Sequence, residues 1–278
     1  DNNIHIMDAN RRDKTLYLNG KPVTELVIPY GISEIGPGAF CGCDFTSVVI
    51  PDSITIIHES AFEFCRSLTN VVIPNQVTQI GENAFSGCEK MTGVTIGQNV
   101  RSIGAGAFMD CTQLKHVTIP DSVTTVESKA FWNCTALTTA TIGKGLAQIK
   151  HGMFSGCSSL TSITIPGNVS TIGERAFEKC SALTSVTMGE GVTSINQYAF
   201  WRCYSLQQVN FPDSLSVIGR YAFSECSSMK DLVFGTGLRE IKEYAFERCS
   251  SLHNVEFKEG ITTIGSCAFD RCQKYEII

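Results

Sequence analysis

The chain has 278 residues, of which 43% are hydrophobic and 18% are charged, and its formal net charge is −5 at pH 7. This balance is ordinary for a folded protein, and it excludes the basic surface expected of a nucleic-acid-binding protein. The sequence has no apolar run near the roughly 18 residues that a membrane-spanning helix needs, so no membrane span is expected.

Residues 1–22 form the first predicted element, an irregular N-terminal flank that does not follow the pattern of the rest of the chain. Within it, Leu16, Tyr17 and Leu18 predict one strand. Because the terminal repeats of an array need a cover for their apolar face, we expect this flank to cap the first repeat.

From residue 23 to residue 278 the motif Ala-Phe-x-x-Cys recurs, first after 22 residues and then nine times after 23. Self-similarity at this period indicates a solenoid, whose units cannot bury their apolar faces alone and must stack on their neighbours. The sequence therefore predicts one elongated domain of about eleven units, which we expect to continue beyond Ile278. The repeated phenylalanines are Phe40, Phe62, Phe85, Phe108, Phe131, Phe154, Phe177, Phe200, Phe223, Phe246 and Phe269.

Each unit is predicted to begin with a short parallel strand. A Val-x-Ile pair alternates with polar residues, as at Ile163 and Ile165, which is the period of a strand with one buried face. Proline or glycine ends the strand in nearly every unit, since proline cannot continue a central ladder. A second extended segment follows, with inward residues such as Val123 and Val126.

The Ala-Phe-x-x-Cys segment completes the unit. Its phenylalanine and cysteine are three residues apart, and this spacing predicts a single 3₁₀ or α turn with both side chains facing the core. Met153 takes the place of the alanine once, and we expect slight widening there.

Thirteen cysteines raise the questions of metal binding and disulfides. Eleven form the column three residues after the phenylalanine, and only Cys41 and Cys267 lie outside it. One thiol per unit along a line does not make a metal cluster, and no histidine column accompanies it to activate a nucleophile. Stacked cysteines would lie within disulfide range, but their place beside the phenylalanine favours small buried hydrophobic residues.

These columns resemble the BspA-like, or Treponema pallidum-type, leucine-rich repeats. The unit from Leu160 to Cys180, with Pro166, Gly173 and Phe177 in their places, carries the resemblance most fully. The resemblance implies a right-handed superhelix with its strands lining one face. It also implies an extracellular or cell-surface location in a bacterium or protozoan, and adhesion to a host matrix or plasma protein.

Two surfaces are candidates for ligand binding. The sheet face carries the residues flanking the inward pairs, although a solvated β face would look the same. The aromatic edge carries tyrosine and tryptophan near the turns, which are enriched at interfaces but also pack on one another. The sheet-face candidates are His116, Thr118, Ser162, Thr164, Ser185, Thr187, Gln208, Asn210, Asp231, Asn254 and Glu256, and the aromatic-edge candidates are Trp132, Tyr198, Trp201, Tyr221 and Tyr244.

The sequence thus favours a non-catalytic interaction module of a secreted or cell-surface protein that adheres to a protein or glycan. The alternative is an intracellular scaffold or regulatory domain that uses the same surface. No nucleophile elbow, phosphate loop or paired-carboxylate motif interrupts the repeats, so neither catalysis nor a metal or other cofactor is expected. An apolar last repeat would also suit an end-to-end dimer.

Overall fold

Alternating apolar residues form one short strand at the start of every coil of the solenoid. The structure is a computed structural model, and it describes residues 4–6, 15–18, 20–272 and 276–277. These first strands lie 22 or 23 residues apart along the chain, as the repeat predicts. They are β4 Glu25–Val27, β6 Ser47–Val49, β8 Asn70–Val72, β10 Gly93–Thr95, β12 His116–Ile119, β14 Thr139–Ile142, β16 Ser162–Ile165, β18 Ser185–Met188, β20 Gln208–Val209, β22 Asp231–Val233 and β24 Asn254–Glu256.

A second strand of two residues follows in each coil and ends in a buried isoleucine or valine, except at the exposed Ile264. These second strands are β5 Glu34–Ile35, β7 Ile56–Ile57, β9 Gln79–Ile80, β11 Ser102–Ile103, β13 Thr125–Val126, β15 Gln148–Ile149, β17 Thr171–Ile172, β19 Ser194–Ile195, β21 Val217–Ile218, β23 Glu240–Ile241 and β25 Thr263–Ile264.

Parallel pairing between successive coils confirms the predicted repeat solenoid. The first strands form one sheet from β4 to β14 and a second from β16 to β20, and a third joins β22, β24 and β26 (Glu276–Ile277). Within the part of the chain that the structure describes, no helix is long and apolar enough to cross a membrane.

The N-terminal flank contributes a small antiparallel sheet. Strand β2 (Leu16–Leu18) pairs with β1 (Ile4–Ile6) on one side and with β3 (Lys21–Pro22) on the other. Leu16 is buried, and its carbonyl accepts a hydrogen bond from the Val23 amide at 2.7 Å. The strand predicted at residues 16–18 is therefore present, and it is attached to the start of the first coil.

The hydrogen-bonded ladder is interrupted around the coil that contains Met153. Neither β14 with β16 nor β13 with β15 is a hydrogen-bonded strand pair, whereas the pairs before and after them in the array are. Met153 is fully buried where every other coil has alanine, and Ala140 occupies an inward position that other coils give to larger residues. The phenylalanine rings keep their spacing here, so the interruption is confined to the strands and leaves the ring stack intact.

The phenylalanine column forms a continuous stack of rings through the core. Successive ring centroids lie 5.0 to 5.5 Å apart, with interplanar angles of 1° to 16°. The rings from Phe62 to Phe246 are fully buried. This near-parallel geometry follows from stacking identical side chains at the spacing of neighbouring strands.

The turn around each phenylalanine differs from the predicted 3₁₀ or α turn, and that expectation is wrong. In every coil the residues two before and two after the phenylalanine have φ between 52° and 78°, in the left-handed region that no right-handed helix contains. The amides alternate in direction: Met153 N–H bonds back within its own turn to Lys150, whereas Phe154 N–H bonds to Ala176 of the next coil. Half of the donors of the turn therefore join neighbouring coils, which a helix would not allow.

The cysteine column has a polar role that was not predicted from the sequence. Each thiol from Cys65 to Cys272 donates to the carbonyl of the phenylalanine one coil earlier, with Sγ to oxygen distances of 3.1 to 3.3 Å. That carbonyl also accepts the amide of its own coil's cysteine, as Phe131 does from Cys134. Cysteine is thus both a small core residue and a weak donor that ties one coil to the next.

We expect Gly237→Ala to lower the free energy of unfolding by about 1–3 kcal/mol, because the added methyl group forces the backbone apart. A Cβ atom at Gly237 would lie 1.8 Å from the carbonyl oxygen of Asp213 in the preceding coil. Gly167→Ala is the matched control, since a Cβ atom there meets nothing closer than 4.0 Å. Urea unfolding followed by circular dichroism measures both variants, and equal stabilities would contradict the close approach at Gly237.

Candidate ligand-binding surfaces

The outward side chains of the first strands form two columns along the sheet face. Strands pair in register, so Thr118 lies beside Thr141 and Thr164 lies beside Thr187. Of the sheet-face residues predicted from the sequence, Ser185 and Glu256 are half-buried and the other nine are exposed. The face is therefore available to a ligand, and its use stays a prediction.

Several of these side chains already have partners on the neighbouring coil. His116 Nδ1 lies 2.7 Å from Thr139 Oγ1, and Asn254 donates to Asp231 at 2.6 Å. The side-chain amide of Asn210 forms two hydrogen bonds with Met188. Its oxygen accepts from Met188 N–H at 2.6 Å, and its nitrogen donates to Met188 C=O at 2.9 Å. Asn210 thus takes a structural role in which it ends the short strand β20.

A cleft of about 680 Å³ opens on the sheet face where β14 and β16 are not hydrogen-bonded to each other. The exposed Thr141 and Thr164 line it on either side, and Lys144 and Asn168 lie at one end. The Asn168 side chain donates to the Leu146 carbonyl, so this end is held together across the gap. The interruption of the ladder thereby coincides with a concave part of the sheet face.

The aromatic edge contains a stack of three tyrosines, here called the tyrosine ladder: Tyr198, Tyr221 and Tyr244. Their ring centroids are 5.1 and 4.7 Å apart with nearly parallel planes, and all three rings are half-buried. Trp201 meets Tyr198 edge-on at 5.8 Å. The structure therefore brings together four of the five aromatic residues predicted from the sequence.

Cationic side chains cover the faces of these rings. The Arg175 guanidinium lies 5.0 Å from the ring centroid of Tyr198, and that of Arg220 lies 5.1 Å from Tyr221. Arg202 lies 4.2 Å from the Trp201 ring and forms an ion pair with Glu225 at 3.1 Å. Each such contact favours this arrangement of ring and guanidinium group by about 0.5–1 kcal/mol, which lowers the cost of ordering these side chains when a partner binds.

Trp132, the fifth predicted aromatic residue, lies three coils away from Trp201 and belongs to a different feature. It lines a cavity of about 590 Å³, here called the turn-edge notch, whose floor includes Gly152, Ser155 and Gly156. The notch was not predicted from the sequence, although the sequence does contain a signal for it, namely the glycines two residues before and two residues after Phe154. The other lining residues are Lys129, Asn133, His151, Glu174, Arg175, Glu178 and Lys179.

Comparison with known proteins identifies one family and several solved structures. The model of the BspA type leucine-rich repeat region, in six copies, matches residues 33–161 and 147–276. A leucine-rich cell surface protein from Faecalibacterium prausnitzii is 25% identical over 100% of this chain and 93% of its own chain, with a TM-score of 0.54. The pneumococcal vaccine antigen PcpA is 17% identical over 99% of this chain and 85% of its own, with a TM-score of 0.60.

The leucine-rich repeat protein of T. pallidum is 23% identical over 82% of this chain and 87% of its own, with a TM-score of 0.49. No curated protein matches the sequence.

Proposed function

Because this chain belongs to the BspA-type leucine-rich repeat family, we propose that it is a non-catalytic interaction module of a secreted or cell-surface protein. Its role is adhesive, and it binds a protein or glycan along the outside of the solenoid. The similar protein from Faecalibacterium prausnitzii is described as a cell surface protein, which supports an extracellular or surface location for this one.

The tyrosine ladder, with its arginines, is the single observation that carries this proposal. Tyrosine, tryptophan and arginine are enriched among the residues that dominate the energetics of protein interfaces, and the two aromatic residues bring large contact areas with only two side-chain torsions to fix. Here Tyr198, Tyr221 and Tyr244 are already stacked, and Arg220 lies within 5.8 Å of the centroids of two of the rings. A flat, preorganised surface of this kind suits a folded protein better than a small molecule.

The test is binding of the purified protein to immobilised collagen, laminin and fibrinogen, which represent host matrix and plasma proteins. We expect micromolar or tighter binding to at least one of them, weakened about 30-fold by Tyr221→Ser, the loss expected for one interfacial hot spot. Serine occupies the equivalent position at Ser60 with φ of 54°, close to the 55° of Tyr221, so the variant should fold.

Thr164→Ala is the matched control, because Thr164 is exposed on the sheet face and away from the tyrosine ladder. Binding that falls in Thr164→Ala and not in Tyr221→Ser would move the contact to the sheet face. If the wild-type protein bound none of the three ligands at micromolar concentration, the adhesive role proposed here would be rejected.

A further inference from the structure

The turn-edge notch and the tyrosine ladder are built on the same three-residue column, which occurs twice in the chain. One residue after the phenylalanine, successive coils carry Trp132, Ser155 and Glu178, and further along Trp201, Ser224 and Glu247. In both copies the serine hydroxyl is buried and faces the glutamate of the next coil, at 3.5 Å in the first and 3.3 Å in the second.

The two copies differ in what covers the middle coil. In the second copy, Tyr221 and Glu225 occupy the outward left-handed positions, two residues before and two residues after Phe223, and bring large side chains to the coil of Ser224. In the first copy these positions are Gly152 and Gly156, and the space stays open. The notch is thus a surface cavity above a coil that has two glycines where the second copy has larger side chains. Its two walls belong to the coils on either side, whose backbones are about 10 Å apart.

Glu178 is the residue of the notch whose contacts most favour binding of a ligand. Its side chain is only 8% exposed, and its contacts are long: 3.5 Å to Ser155 Oγ, 3.6 Å to Arg175 and 3.7 Å to Lys179. A well-paired carboxylate accepts charge-assisted hydrogen bonds near 2.7–2.9 Å and has about four acceptor positions. Glu178 therefore lines the notch with acceptor capacity that hydroxyl donors of a ligand can use.

The opposite wall is apolar and aromatic. Trp132 is 36% exposed and lines the cavity, while the Asn133 amide and the Lys129 and Arg175 cations supply further polar groups around it. A ligand that suits both walls has one face of C–H groups and a rim of hydroxyl groups. We propose that the turn-edge notch binds a single six-membered sugar ring of a glycan, with Trp132 against its C–H face and Glu178 accepting from its hydroxyl groups.

This inference deepens the proposed function, on which it rests, by assigning a ligand class to a second surface. The volume of about 590 Å³ lies within the range of roughly 300–1,000 Å³ that is usual for small-molecule sites. The tyrosine ladder then meets the protein part of a partner, and the notch meets a sugar attached to it or to a neighbouring molecule.

The test is saturation-transfer difference NMR with the methyl glycosides of glucose, galactose, mannose, N-acetylglucosamine and glucuronic acid, each at millimolar concentration. At least one glycoside should show saturation transfer with the wild-type protein, and the signal should be lost in Gly152→Tyr. That variant introduces the tyrosine of the second copy, since Tyr221 occupies the equivalent position with φ of 55° against 60° for Gly152. Comparison of the glucoside with the glucuronide shows whether the notch takes a neutral or a carboxylated ring.

Gly38→Tyr is the matched control, because Gly38 has the same left-handed conformation at φ of 60°, a Cβ atom there meets nothing within 4 Å, and the residue lies outside the notch. It should retain the sugar signal, whereas Trp132→Ala, a change at a partly exposed residue, should lose it even if Gly152→Tyr were unstable. No saturation transfer from any of the five glycosides, or a signal that persists in Trp132→Ala, would overturn the proposal. Binding to immobilised collagen, laminin or fibrinogen is measured separately, so failure of the sugar site is distinguishable from failure of the adhesive role.

Discussion

Above a pH of about 9 the protein is expected to lose its fold steeply, because its core holds a column of thiols in the protonated state. Burial raises the pKa of each of these thiols above its ordinary value, and the neighbouring thiols of the column add to the effect in several cases. The thiols with a raised pKa are Cys65, Cys88, Cys111, Cys134, Cys157, Cys180, Cys203, Cys226 and Cys249.

The sign follows from comparing the two states. A thiol in the unfolded chain has a pKa of about 8.5, so below that pH both states hold the proton and the contribution to stability is complete. Above it the unfolded chain releases the proton while the folded core retains it, and stability falls by about 1.4 kcal/mol per thiol and pH unit. Nine such thiols give a slope of about 12 kcal/mol per pH unit, comparable to the whole stability of a domain, about 5–15 kcal/mol.

Circular dichroism against pH under reducing conditions measures the transition, and a triple variant separates the thiols from other titrating groups. Replacing Cys134, Cys157 and Cys180 with alanine removes three of the nine thiols with a raised pKa and should reduce the pH slope of the free energy of unfolding by about one third. An unchanged slope in the triple variant would show that tyrosine or lysine titration causes the alkaline transition and would contradict the role given to the thiols.

The sequence was sufficient to predict the solenoid and its core. With a fixed period, inward positions such as Phe177 and Ile165 recur in register, and burying one of them implies burying the whole column. The structure places both residues in the core as the columns require. The N-terminal strand Leu16–Leu18 was predictable from its own alternation of apolar residues, without the repeat.

The turn could not be predicted from the spacing of Phe177 and Cys180. Residues three positions apart lie on the same side of a helix, and in this structure they also lie on the same side of two linked turns. The discriminating signal lay in the outward positions, where Gly152, Asn133 and Asp110 are residue types that favour the left-handed region. Large side chains occupy the same positions in other coils, so the preference for the left-handed region was not visible in the repeat as a whole. They adopt the same conformation because hydrogen bonds to the next coil hold the backbone, as tertiary context often overrides local preference.

The turn-edge notch escaped prediction for a different reason. Binding sites are predicted from side chains that could contact a ligand, and Gly152 and Gly156 form the notch by having none. Trp132 was predicted to lie on the aromatic edge with Trp201, because both follow the phenylalanine directly. The two tryptophans are distinguished only by the next coil, which carries Gly152 and Gly156 after Trp132 but Tyr221 and Glu225 after Trp201.

Phe154→Ala is expected to lower the free energy of unfolding by about 3–5 kcal/mol, because it leaves a cavity in the middle of the ring stack. The Phe154 ring is fully buried and lies between the rings of Phe131 and Phe177, at centroid distances of 5.4 and 5.5 Å. Its neighbours cannot close the cavity, because each is fixed by main-chain hydrogen bonds that join its coil to the next, as Phe131 N–H is to Met153.

Phe64→Ala is the matched control for the loss of a phenylalanine, because Phe64 is 42% exposed on the outside of a turn. Its removal should change the free energy of unfolding by no more than about 0.5 kcal/mol. Urea unfolding followed by circular dichroism compares the two variants with the wild-type protein. If Phe154→Ala cost no more than Phe64→Ala, the stacked rings would contribute little, and stability would have to come from the strand ladders and the hydrogen bonds between turns. That outcome is not expected, because the strand ladder is already interrupted on both sides of this coil while the ring stack passes through it unbroken.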